Sequence, residues 1–223
     1  MFFMKSLLQA DELAQITSAI DQAEAKTSAD IVPMVVNLSD RYEVVNYRGG
    51  VFVGIILLAS HGFFFPNSWS ILHEGSTLFA IGMVIGYLAC FLTPVRRIFL
   101  MSKEKNEEVH QKALESFHQM NLPLSPARNG VLIFISLLEK KVEILADVNW
   151  QSQAKITKEN WQQLSDELAK NIREGSLSLA LTQTIKKIGD MAQTHFPQEK
   201  QTKRSNHFEN TLRTDKDLTD KDQ

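Results

Sequence analysis

Two uninterrupted stretches without a single Lys, Arg, Asp or Glu constrain this chain more than any other feature. They are Gly49–Leu72, 24 residues, and Gly75–Val95, 21 residues. Their most apolar parts, VFVGIILLASHGFFF (Val51–Phe65) and LFAIGMVIGYLACFL (Leu78–Leu92), each run for 15 residues. Such a core makes about 22 Å of helix, and flanking Gly, Ser, Thr and Pro residues extend it toward the roughly 30 Å of a bilayer's hydrocarbon. Ten of the first 15 are Val, Ile, Leu or Phe. Ten such residues favour insertion by roughly −3 to −6 kcal/mol, enough to carry His61 and the small residues. In a soluble protein, helices apolar on all sides must be enclosed by other protein. The rest of this chain supplies helices with one apolar face each, and these have a sheet of their own to cover. The sequence therefore predicts a transmembrane hairpin over 49–95. His61 falls near the loop end of its helix, with no second ionisable partner in the bilayer for a proton relay.

The flanks set the topology. Arg41 and Arg48 precede the first run and Arg96, Arg97, Lys103 and Lys105 follow the second, whereas the loop PNSWSILHEGST has no Lys or Arg. This asymmetry places both termini in the cytoplasm, in a multi-pass protein of the cytoplasmic (inner) membrane, with the loop outside. Tyr47 and Trp69 suit interfacial anchors. At the start, MFFMKSLLQADELAQ is broken by Lys5, Gln9, Asp11 and Glu12, so no cleaved export signal is expected. A net charge of −2 gives no electrostatic reason to expect nucleic acid or an anionic substrate. The lone Cys90 excludes an internal disulfide framework and a Cys-based zinc site.

Outside the hairpin the periodicities describe one small mixed α/β domain. Leu13, Ile16, Ile20 and Ala23 recur at helical spacing within 9–27, with Asp11 as the expected cap. DIVPMVVNL (Asp30–Leu38) reads as a strand whose Pro33 demands an edge position or a bulge. Ser102 is the expected cap of a helix reaching about Met120 through Val109, Ala113 and Phe117. VLIFISLL (Val131–Leu138) is apolar at almost every position, as in a strand covered on both faces. A tight turn at Glu139, Lys140 and Lys141 returns VEILAD (Val142–Asp147) antiparallel to it. Two amphipathic helices follow, one capped by Thr157 and ending at Gly175, the other starting near Leu177 and stopping at Pro197. The first and second strands, joined through a crossover helix, should run parallel. The expected fold is thus a mixed sheet flanked by helices, α/β in class and α+β-like in layout, with an inserted two-helix transmembrane hairpin. The last 26 residues hold six acidic and six basic side chains against Phe208, Leu212 and Leu218, so 198–223 is expected to be a disordered tail.

KTSADIVPMVV after an amphipathic helix, and RNGVLIFISLLEKKVEILAD followed by two helices ending in THFP, resemble the TPM-domain family. The resemblance covers 9–38 and 98–197, the two parts of the predicted domain. It is to a bacterial two-span membrane branch, related to thylakoid-lumen proteins of which some have phosphatase activity. Two positions depart from the family's pattern: Asp147-Val148-Asn149 stands where Asp-x-Gly is frequent, and Pro33 stands where Val or Ile is usual. The resemblance implies either a divalent-cation-dependent phosphomonoesterase or a domain that maintains other membrane proteins.

No nucleophile elbow, phosphate loop or H-E-x-x-H motif is present, and no catalytic residue is assignable. His110 and His118 lie two helical turns apart, too far to share a metal. The most site-like residues converge at one sheet edge. Asp30 opens the first strand, Arg128 and Asn129 precede the second, and Asp147 and Asn149 leave the third. Asp30, Asp147 and Asn149 are candidate ligands for Mg²⁺ or Ca²⁺, and Arg128 is a candidate phosphate clamp. The structural alternative is that Asp147 caps a turn and pairs with Arg128, while Asn129-Gly130 is ordinary turn chemistry. The preferred function is an interaction or maintenance module whose partners are the lipid bilayer and another membrane protein or a second copy. Gly82 and Gly86 form a small-xxx-small pair for helix packing.

Overall fold

The computed structural model describes residues 8–40, 42–65, 73–125, 127–198 and 211–214. Two compact units emerge, one from Met1–Ser39 with Glu107–Gln223, the other from Asp40–Asn106.

The first unit is built on a four-stranded mixed sheet. Helix α1 (Ala10–Glu24) precedes β1 (Ile31–Val36). Its cap is Gln9 rather than Asp11: the Gln9 N–H donates to Glu12 Oε2 at 2.8 Å, closing a capping box. Asp11 instead lies in the first turn, where its charge opposes the helix dipole favourably. Ile16, Ile20 and Ala23 are buried as the spacing predicts, but Leu13 is exposed. β2 (Val131–Ser136) runs parallel to β1, with Ile31 opposite Val131, and β3 (Lys141–Ala146) returns antiparallel, with Val131 opposite Ala146. The strand order is β3-β2-β1-β4, where β4 is Arg213–Thr214.

β1 is therefore not a bare edge strand, yet Pro33 does what an edge proline does. The Asp30 and Val36 carbonyls accept from Val131 and Leu137 of the β2 side, while the Ile31 N–H donates to Glu24 Oε1. Alternation along the strand then turns the Pro33 nitrogen away from β2, so its missing donor costs the β1–β2 ladder nothing. On that outer side β4 pairs only with Met34 and Val35. This short strand corrects the expectation for 198–223 at 213–214. A few extended residues gain hydrogen bonds from an open sheet edge without needing a core of their own, and Leu212 packs against the main apolar cluster. Residues 199–210 and 215–223 lie outside the described residues.

Each face of the sheet has its own core. Ile31, Val35, Val131, Ile133 and Ile135 pack with α1, α7 (Lys158–Glu174) and α8 (Leu177–His195). Val32, Met34, Val36, Leu132 and Phe134 pack on the other side with Val109, Ala113 and Phe117 of α5 (Ser102–Gln119). Burial on both faces is why β1 and β2 lack polar alternation. β3 alternates, and α7 covers its outer edge, where Ser165 Oγ accepts from the Ile144 N–H at 3.1 Å.

The second unit holds α2 (Glu43–Phe64), α3 (Glu74–Ala89) and α4 (Thr93–Phe99). α2 is long and apolar enough to cross a membrane, and only 22% of its most apolar 18-residue window is buried. The second apolar run is not one continuous helix: α3 stops at Ala89, and α4 leaves at 112° to it. Proline supplies the reason. In a continued helix the Cys90 carbonyl would accept from residue 94, and Pro94 has no N–H; the Arg96 side chain fills the gap, with Nε donating to that oxygen at 3.1 Å. α2 and α3 pack through glycines. A methyl group added at Gly86 would lie 2.4 Å from the Gly49 carbonyl oxygen, and one at Gly82 would lie 2.8 Å from Gly54 Cα. The small-xxx-small pair thus serves the close approach of the hairpin's own two helices.

Candidate functional site

The strand registers bring the predicted residues to one edge of the sheet. The Asp30 carbonyl accepts from Val131, the Gly130 carbonyl from Asp147 at 2.9 Å, and the Arg128 carbonyl from Asn149 at 3.2 Å. The side chains, however, are largely engaged with one another and with the backbone. Asp147 takes Arg128 in a two-pronged pair, Nε to Oδ2 at 2.9 Å and Nη2 to Oδ1 at 3.2 Å. It also accepts from the Val148 N–H at 2.7 Å and so caps α6 (Val148–Ser152), a short helix the sequence does not announce. The Asp147 side chain is 5% exposed and that of Arg128 51%. The hydrogen bond it donates to Asp147 holds the Arg128 guanidinium above its ordinary pKa.

Asn149 has similar local duties: its Nδ2 donates to the Ala127 carbonyl at 2.8 Å, and its Oδ1 accepts from Ser152 Oγ. Asp30 is buried and accepts from Ser125 Oγ at 3.0 Å. A divalent cation near Asp147 would meet a guanidinium already seated on both carboxylate oxygens, and like charges at that range oppose binding. Among the described residues no group of three His, Cys, Asp or Glu converges to hold a metal ion. The turn itself differs from the Asn-Gly expectation. Arg128 takes the left-handed conformation, φ 49°, and no described glycine has positive φ.

Sequence reasoning read Asn129 only as turn chemistry and passed over several neighbours. Asn129 is fully buried, donates to Ser28 Oγ, and accepts at its carbonyl from Trp150 Nε1 at 2.7 Å. Its Oδ1 is buried with no hydrogen-bond partner among the described residues. A cleft of about 270 Å³ lies beside the edge, lined by His110, Glu143, Asp147, Lys158, Gln162 and Ser165 among others. There His110 Nδ1 meets Glu143 Oε1 at 2.9 Å. The only sequence signal for that pair was an acidic residue, Glu143, within the apolar part of a strand, 142–146. In the second unit, His61 has the ionisable partner that the sequence reading denied it: Nε2 lies 3.2 Å from Glu74 Oε2. Glu74 sits between the two charge-free runs, and antiparallel helix packing returns it to the level of His61.

No family model and no curated protein matches this chain. Among solved structures, the NMR structure of the BA42 protein from the psychrophilic bacterium Bizionia argentinensis is similar, with a TM-score of 0.58 and 17% identity. The match covers 96% of this chain and 99% of that one. At that identity the likeness is one of fold alone.

Proposed function

We propose that this chain is a membrane-anchored interaction module: α2 and α3 lie in the inner membrane, and a TPM-like sheet domain on the cytoplasmic side docks another membrane protein. The observation that carries the anchoring is the combination of apolar composition and exposure in α2. Val51, Phe52, Ile55, Ile56 and Phe63 are all exposed, and water does not tolerate a continuous apolar surface of that extent on a monomer. Lipid does. The module reading, as against a cation-dependent phosphomonoesterase, is supported by the closed state of the sheet edge. Arg128 is spent on Asp147, and Asp147 and Asn149 are spent on the backbone of α6 and its neighbours.

The test has two parts. Membranes from cells expressing the full chain are extracted with alkaline carbonate, and the chain is expected in the pellet. The detergent-purified protein is then assayed with an aryl phosphate over a range of Mg²⁺ and Ca²⁺, with no turnover expected. Carbonate-soluble protein would overturn the anchoring. Cation-dependent turnover lost in Asp147→Ala would restore the phosphatase reading.

A further inference from the structure

We infer that the elbow between α3 and α4 is a binding site for anionic phospholipid headgroups, with Arg96 as the residue that meets the phosphate. The inference rests on the membrane placement of the hairpin proposed above. A helix bent by 112° from a span that crosses near the bilayer normal lies close to the membrane plane, in the headgroup region. α4 is suited to that place: Phe91, Leu92 and Ile98 at the elbow are exposed, and apolar side chains at this depth reach the acyl boundary.

The charge is one-sided. From Gly75 to Lys103 there is no Asp or Glu, while Arg96 and Arg97 sit together on α4. Arg48, a further arginine of this unit near the same end of the hairpin, is occupied by Glu104 through two hydrogen bonds, 3.1 and 2.7 Å. Arg96 is held differently. Its Nε is fixed on the Cys90 carbonyl, and its guanidinium carbon lies over the Phe91 ring, 5.9 Å from the ring centre. Phe91 continues an aromatic ladder through Tyr87 to Tyr47, with ring centres 5.7 and 5.2 Å apart. No carboxylate pairs with Arg96 among the described residues. An oriented guanidinium with its terminal nitrogens uncommitted, set on an aromatic platform, is matched to a phosphodiester. Aromatic residues of this kind are enriched at the same interface.

The experiment titrates the detergent-purified full chain with phosphatidylglycerol or phosphatidylcholine and counts bound lipids by native mass spectrometry. We expect retention of phosphatidylglycerol over phosphatidylcholine and about a fivefold loss of that preference in Arg96→Gln, the factor one basic side chain contributes at an anionic surface. Arg96→Lys, which keeps the charge but neither the planar fork nor the fixed Nε contact, should lose most of that preference as well. Equal binding of the two lipids, an unaffected Arg96→Gln, or an Arg96→Lys that keeps the parent's preference in full would overturn the site. Carbonate extraction of the starting membranes separates the two failures. Pelleted protein without lipid preference sinks the site alone, and soluble protein sinks the hairpin with it.

Discussion

Replacing Asp147 separates a carboxylate that holds the fold from one held ready for a cation. In the structure its Oδ1 caps α6 through the Val148 N–H, and both oxygens bear on Arg128. Asp147→Ala removes the cap, which is worth about 1–2 kcal/mol, and leaves the Val148 N–H short of its acceptor. For a chain of this size that is a fall in melting temperature of about 2–8 °C. Asp147→Asn keeps an oxygen on the Val148 N–H, and Asn caps as well as Asp. Arg128 is half exposed, so water screens much of its attraction; the Asn variant should melt within about 2 °C of the parent. The assay is thermal unfolding of the full chain in detergent, followed by the fluorescence of Trp150 and Trp161, with and without millimolar Mg²⁺ or Ca²⁺. A carboxylate kept for a metal is a liability while the site is empty. The reasoning is refuted if Asp147→Ala is more stable than the parent and either cation stabilises the parent but not the variant.

Three further outcomes follow from other contacts. Trp150→Phe leaves the Asn129 carbonyl without its indole donor inside the core, and should cost about 1–3 kcal/mol in the same unfolding assay; no change would show that this hydrogen bond is dispensable. Gly86→Leu drives a side chain into the backbone of Gly49 and Gly50 and should destabilise the hairpin by about 1–3 kcal/mol, read as a loss of disulfide cross-linking between cysteines placed on α2 and α3. The Glu104 carboxyl is held below its ordinary value of 4.5 by the hydrogen bond from Arg48. Its contribution is therefore full above that value and disappears as the pH falls through the lowered one. Being partly exposed, the pair should separate the parent from Glu104→Gln by less than about 1 kcal/mol at pH 7, with the two converging in acid. A gap that widens in acid would reverse the sign and refute the assignment.

The sheet was largely legible because its signals are local and mutually consistent: a β-branched run with proline, a wholly apolar run, a two-lysine turn and an alternating return strand. Parallel pairing of β1 with β2 followed from the helix between them, and together with the antiparallel return of β3 it brought Asp30, Arg128 and Asp147 to one edge. The Arg128–Asp147 pair was foreseen as one of two alternatives; only geometry could choose, because the same residues serve a latch or a phosphate site. Other features depend on long-range pairing that no local pattern carries. β4 is two residues in a highly polar stretch, readable only once the outer edge of β1 is known to be open beside Pro33. Glu74 fell outside both charge-free runs, so its approach to His61 required the helices to be packed. The break after Ala89 was signalled by Pro94 but masked by uniform hydrophobicity on either side of it.

The placement of the hairpin across the membrane is tested most directly by the accessibility of its loop. In a Cys90→Ser background, Ser70→Cys in the loop and Thr202→Cys in the C-terminal tail are each treated in intact cells with a membrane-impermeant maleimide, then again after lysis. The account predicts labelling of Ser70→Cys from outside and of Thr202→Cys only after lysis. Loop cysteines that react only after lysis, or a tail cysteine that reacts in intact cells, would contradict it.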